Sequence, residues 1–146
     1  FPFAPLMIVP LLQHAGKAAL PVVRAGQEVL RGELLAEPDG PLSVAMHAPA
    51  AGRIERIELD FPKFTDGRAF SQAVLLRRRY RFAGDLRATG DVLIDQLLQM
   101  QRSGFSSAVL APGIQADAAE RQLARYQAFY QGDVLEPRPL FAREAA

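Results

Sequence analysis

Two short segments place charged and polar side chains where they could gather an anion: Lys63, Asp66 and Arg68 in one, Arg87, Thr89 and Asp91 in the other. A guanidinium offers a planar fork that matches carboxylate, sulfate, sulfite or phosphate, and a lysine adds a compact charge. Lys63, Arg68 and Arg87 are therefore the candidate anion-binding residues, with Asp66, Thr89 and Asp91 in support. Helix amino-termini near Gly67 and Gly90 would add backbone N–H donors. The same residues also admit a structural reading. Asp66 and Asp91 suit helix caps, while Arg68 and Arg87 could pair with Asp95 or Asp85.

Other chemical equipment is thin. The chain has no cysteine, which excludes disulfides, thiolate zinc sites, cysteine-ligated iron–sulfur clusters and a cysteine nucleophile. Its two histidines, His14 and His47, lack the carboxylate or thiol support of a metal site and read as structural hydrogen-bonding groups. No serine stands in a nucleophile-elbow context, and no glycine-rich phosphate loop occurs. Catalysis by this chain alone is thus the least supported reading, and no cofactor or metal is expected.

The basic run formed by Arg77, Arg78, Arg79 and Arg81 around Tyr80 is either a surface for an acidic partner or a solvated helix end. It is a poor nucleic-acid patch, because Asp85, Asp91 and Asp95 offset it and the net charge is only +1. Hydrophobic residues make up 49% and charged residues 23% of 146, the composition of a packed domain. No apolar run approaches the roughly 18 residues that span a bilayer. The chain begins at Phe1 without a basic segment ahead of an apolar one, so no signal peptide is expected and a cytoplasmic location is.

These side chains need elements to position them, and the chain changes character near residue 58. Residues 1–58 are rich in proline, valine, alanine and glycine, with short strand-like runs at 22–26, 28–30, 33–36, 42–47 and 53–59. Gly26, Gly32 and Gly52 fall at the tight reversals, and residues 38–41, PDGP, form a strong turn signal. From residue 59 strands alternate with helical periods: strands at 59–61, 85–89 and 105–110, helices at 70–80, after an Asp91 cap to Gly104, and at 116–131. Three βα units predict a small parallel sheet, whose ligands would sit beyond the carboxyl ends of the strands. The predicted fold class is mixed α+β and α/β: a short-stranded barrel-sandwich-like segment joined to three βα units. With no Gly/Ser linker, the joint is expected near 54–61, where one strand could serve both halves. Open sheet edges would be covered by the β-rich segment or by a second copy, so a homo-oligomer is a possible form.

Each half carries a family resemblance. Residues 9–16 (VPLLQHAG), 21–32 (PVVRAGQEVLRG) and 47–54 (HAPAAGRI) resemble the amino-terminal barrel-sandwich hybrid domain of the C subunit of the Rnf ion-translocating electron-transport complex. Biotinyl and lipoyl carrier domains share that sandwich, but the hairpin at 36–45 that would bear the carrier lysine has none; the only lysines are Lys17 and Lys63. Residues 59–71 (LDFPKFTDGRAFS), 75–80 (LLRRRY), 84–91 (GDLRATGD), 95–96, 102–105 and 136–141 (EPRPLF) resemble a bacterial family of uncharacterised function encoded beside assimilatory sulfite reductase. Where that family often has cysteine, this chain has Ser103.

The chain thus looks composite. The second resemblance implies a cofactor-free accessory or docking protein in electron transfer toward sulfite reduction, with sulfite reductase or another electron-transfer protein as partner. The alternatives are a small oxyanion-binding protein or oxidoreductase of sulfur assimilation using Lys63, Arg68 and Arg87, and a chimera without evolved function. The start at Phe1 and the absence of cysteine favour an assembled or trimmed chain over a natural fusion.

Overall fold

The computed structural model describes residues 6–12 and 15–143; His14 lies outside them. The chain divides into two compact units, residues 1–54 and 55–146.

The first unit is built from very short antiparallel strands. β1 (Leu20–Pro21), β3 (Leu34–Glu37) and β4 (Met46–His47) form one sheet, and β2 (Glu28–Val29) pairs with β5 (Gly52–Arg53) in another. Val23, Val29, Leu35 and Ala48 are buried together, with Val9 and Ile54 packed against them. Turns hold this core closed: the Gly26 N–H donates to the Ile54 carbonyl and the Gly32 N–H to the Ala48 carbonyl, both at 2.8 Å. Gly52, expected at a reversal, instead lies in β5 opposite Val29.

The second unit contains a three-stranded parallel sheet in the order β6 (Arg56–Phe61), β7 (Asp85–Gly90), β8 (Ser107–Ala108). The extended segment read from sequence at 53–59 is two strands, β5 in one sheet and β6 in another. Period-two alternation along β6 sends Ile57, Leu59 and Phe61 to the buried face and Arg56, Glu58 and Asp60 to the other. β7 repeats it, with Leu86 and Ala88 buried between Asp85, Arg87 and Thr89. Parallel register aligns Ile57 with Leu86 and Leu59 with Ala88, so the apolar rows are continuous.

Helices cover that apolar face. α1 (Arg68–Arg78) buries Ala69, Ala73 and Leu76, one stripe at helical spacing. α2 (Leu97–Ser103) buries Leu97, Met100 and Ser103 and ends on Gly104, whose φ of 107° is open to glycine and strained for other residues. Phe61, Phe70 and Phe105 join strand, helix and β8 approach in a ring cluster with centroids 5.1–6.3 Å apart.

Asp91 does not cap a helix: residues 91–93 are non-helical, a 3-10 turn occupies Ile94–Gln96, and Leu93 holds the capping position without a side-chain bond. The third helix, α3, is Ala116–Leu123 and stops well short of residue 131. Aromatic anchoring competes with helix continuation there. The Phe129 ring lies 4.0 Å beneath the Arg102 guanidinium, and Tyr130 meets Phe141 at 5.4 Å. Arg102 also donates to the Asp133 carboxylate and the Gln131 carbonyl, fixing the carboxy-terminal segment against α2.

Arg77, at the end of α1, holds the unit's loops. Its Nε donates to the Gly104 carbonyl at 2.7 Å, and its Nη1 donates to the Phe82 and Gly84 carbonyls at 2.6 and 2.8 Å. Three acceptors, two in the loop after α1 and one at the end of α2, thus share one cation, whose pKa is lowered by its burial and raised in part by Asp85. Replacing Arg77 with Ala should lower the unfolding free energy by about 2–3 kcal/mol, because the carbonyls lose their donor. Lys in its place should recover only part, since an ammonium lacks the planar fork. Urea denaturation midpoints check both.

Candidate functional site

The carboxyl end of the parallel sheet, where the sequence places an anion site, is closed by polar contacts of its own. Asp91 Oδ2 accepts from the Phe64 N–H at 2.9 Å, and Gln96 Nε2 donates to the Phe64 carbonyl at 3.2 Å. Both polar groups of Phe64's backbone are therefore clamped. The Asp66 N–H donates to the Lys63 carbonyl at 2.9 Å, completing a turn that leaves Lys63 exposed. The Asp91 N–H donates to the Phe61 carbonyl at 2.7 Å, tying the end of β6 to the exit of β7. That close approach explains Gly90, at φ 83°: a Cβ there would collide with the Phe61 carbonyl and the Asp60 carboxylate.

Asp66 and Arg68 form a pair. Arg68 Nη2 lies 2.5 Å from Asp66 Oδ2, and its Nε and backbone N–H also donate to that carboxylate. The side-chain hydrogen bond from Arg68 lowers the Asp66 pKa from 3.8 to about 2, and the same contact raises that of Arg68. Asp66 thus engages the first helical residue without occupying the α1 N-cap, which is Gly67.

Arg87 belongs to a different cluster, on the charged face of the sheet. Its Nε donates to Ser107 Oγ at 3.1 Å, and its guanidinium lies 3.5 Å from Asp85. Asp85 is the hub: Arg56 Nε donates to it at 2.7 Å, Ser106 Oγ at 2.8 Å and Ser107 Oγ at 2.6 Å. Burial pushes the Asp85 pKa up, but the hydrogen bonds from Ser107, Ser106 and Arg56 outweigh it and hold the carboxylate below its usual range. Thr89 meets Asp60 at 3.4 Å on the same face.

Of the residues singled out by sequence, the structure joins Asp66 with Arg68, and sets Arg87 with Asp85, the pairing the structural reading allowed. Asp95 does not pair with Arg68. Lys63 has no side-chain partner among the described residues. His47 is an exposed β4 residue, likewise without a side-chain hydrogen bond among the described residues, so the structural bonding expected of it is not found. Among the described residues no group of three histidine, cysteine or acidic side chains could hold a metal. Sequence reasoning missed the Arg56, Ser106 and Ser107 shell around Asp85. The signal was present in the alternation of residues 56–61 and 85–89, which puts Arg56 opposite Asp85 once the strands are parallel and in register.

Residues 38–141, more than half of the chain, match the family described as "Bacterial protein of unknown function (DUF934)". The chain belongs to this family. The match begins inside the first compact unit and runs through the second. The chain is also similar to the C subunit of the ion-translocating oxidoreductase complex of Pseudomonas aeruginosa, with 50% identity over 56 residues, 38% of this chain and 7% of that protein. The same-named protein of Rhodobacter capsulatus is 45% identical over 53 residues, 36% of this chain and 10% of that one. The C subunit of the Na(+)-translocating ferredoxin:NAD(+) oxidoreductase complex of Acetobacterium woodii is 34% identical over 53 residues, covering 36% and 12%. The chain therefore spans only about a tenth of the length of these curated relatives. Both resemblances read from sequence are present in one chain. No solved structure matches it. Among the described residues no helix is long and apolar enough to cross a membrane.

A carboxylate held low contributes stability above its unfolded pKa and loses it as pH falls through the folded value. The Asp66 contribution should thus be complete above about pH 4 and fade toward pH 2. Carboxyl-carbon NMR titration should place Asp66 near 2 in the native chain and return it toward 3.8 in Arg68→Ala. An unchanged titration in the variant contradicts the pairing.

Proposed function

We propose that this chain is an accessory or docking protein serving electron transfer toward sulfite reduction, with no redox chemistry of its own. The observation that carries the reading is the coexistence, in one chain, of the family match and the similarity to the C subunits of ion-translocating oxidoreductases. A family match that crosses the boundary between the two units favours one evolved protein over an assembled chimera.

The polar residues fit docking better than catalysis. Arg68 and Arg87 already face carboxylates of their own chain, so an incoming oxyanion would have to displace Asp66 or compete with Asp85. With no cysteine, the chain cannot ligate an iron–sulfur cluster through thiolates, and electrons must pass between partners that it brings together. On this reading the partner is the assimilatory sulfite reductase hemoprotein, and the site of action is the cytoplasm.

Size-exclusion chromatography of the chain mixed with purified sulfite reductase hemoprotein tests this directly. Co-elution at low salt that weakens as ionic strength rises is the expected result. Independent elution of two folded proteins at every salt concentration removes the proposed partner.

A further inference from the structure

The amino-terminal end of the parallel sheet, opposite the loops around Lys63 and Arg68, carries an open groove of about 600 Å³. Three arginines line it, Arg77, Arg78 and Arg81, and none of the described lining residues is acidic. The acidic groups in neighbouring sequence are committed elsewhere. Asp85 is held by Arg56 and two serines, Asp133 by Arg102 and the N–H groups of Leu135 and Glu136, and Glu136 by Arg138 and Arg143. The groove lining thus carries three guanidiniums and no carboxylate, with Asp85 beside it offsetting part of the Arg77 charge.

Arg81 is distinctive. It is exposed, has no side-chain partner among the described residues, and takes a φ of 56°, the only non-glycine residue with positive φ among those described. A side chain in that region of backbone space strains the chain, and glycine would relieve it. The path is imposed from both sides: the Tyr80 N–H bonds to Leu75, the Phe82 N–H to Leu76, and Arg77 grips the Phe82 and Gly84 carbonyls. An arginine at such a position, exposed and beside two others, is available to meet a partner.

Apolar residues complete the lining: Val134, Pro137 and Leu135, the last 63% exposed, on a segment to which Arg78 donates through its Nη2 at the Asp133 carbonyl, 3.3 Å away. A small oxyanion needs several donors converging on one point, and Arg77 has already committed its Nε and Nη1 to three carbonyls. An extended peptide uses the same charges spread along its length and buries apolar side chains on Leu135.

We infer that the Arg77–Arg78–Arg81 groove is the docking surface for an acidic, partly apolar segment of a partner protein. This rests on the docking reading above and gives it a location and a recognition chemistry.

Fluorescence anisotropy with a labelled peptide of alternating glutamate and leucine tests it on the full chain. The peptide should bind, lose affinity as salt rises, and lose about tenfold in affinity when Arg78→Glu is combined with Arg81→Gly. Arg81→Gly alone should keep or raise the urea midpoint while weakening the peptide, a split that a merely structural Arg81 cannot produce. Equal binding of a lysine–leucine control, unaltered affinity in the double variant, or full displacement by an equimolar amount of inorganic phosphate overturns the inference. The two readings fail separately. Peptide binding without co-elution keeps the groove and removes sulfite reductase, whereas co-elution that survives the double variant keeps the partner and removes the groove.

Discussion

The second unit depends on one half-buried cation. Arg77 sits in the last turn of α1 and donates to carbonyls from the end of α2 and from the chain entering β7. Each βα unit must turn back sharply to start the next strand, and every such reversal leaves backbone acceptors that the sheet cannot satisfy. Here one guanidinium satisfies three. The Arg77 contacts also fix the course of residues 79–84, and so place Arg81 at its positive φ. A stabilising contact and an exposed basic surface are consequences of the same side chain.

The sheet divides labour between its faces and its ends. One face is an apolar floor for the helices, closed by the cluster of Phe61, Phe70 and Phe105. The other carries the charges of β6 and β7 around Asp85, an arrangement that parallel sheets covered on both faces do not need. At the carboxyl end the Phe64 backbone is held by Asp91 and Gln96. The opposite end keeps an unfilled groove. The proposed docking groove thus lies at the end of the sheet opposite to the one where ligands of open α/β folds usually lie.

Much of this architecture was legible in residue patterns, because hydrophobic periodicity reports burial directly. Alternation in residues 56–61 and 85–89 gives strands, and the stripe of Ala69, Ala73 and Leu76 gives a helix. Contacts over long sequence separations were not legible. Asp91 has the residue type of a cap, yet its carboxylate bonds Phe64, 27 positions earlier, a choice only the tertiary fold makes. Helical spacing continues past Leu123, but the helix stops there, and the segment beyond it lays Phe129 under Arg102, a contact far away in sequence. Arg68 and Arg87 have the chemistry of anion ligands, and their nearest anions turn out to be Asp66 and Asp85. Arg77 read as one member of a basic run, and nothing local separates it from Arg78 or Arg79; the three carbonyls it meets do.

Hydrogen–deuterium exchange of the chain with and without purified sulfite reductase hemoprotein tests the proposed docking surface around that arginine most directly. Slowed exchange is predicted at residues 77–84 and 134–137, the segments that supply most of the groove lining, with residues 62–68 unaffected. Slowed exchange confined to the 62–68 loop, or no change at either lining segment in a complex that does form, would contradict it.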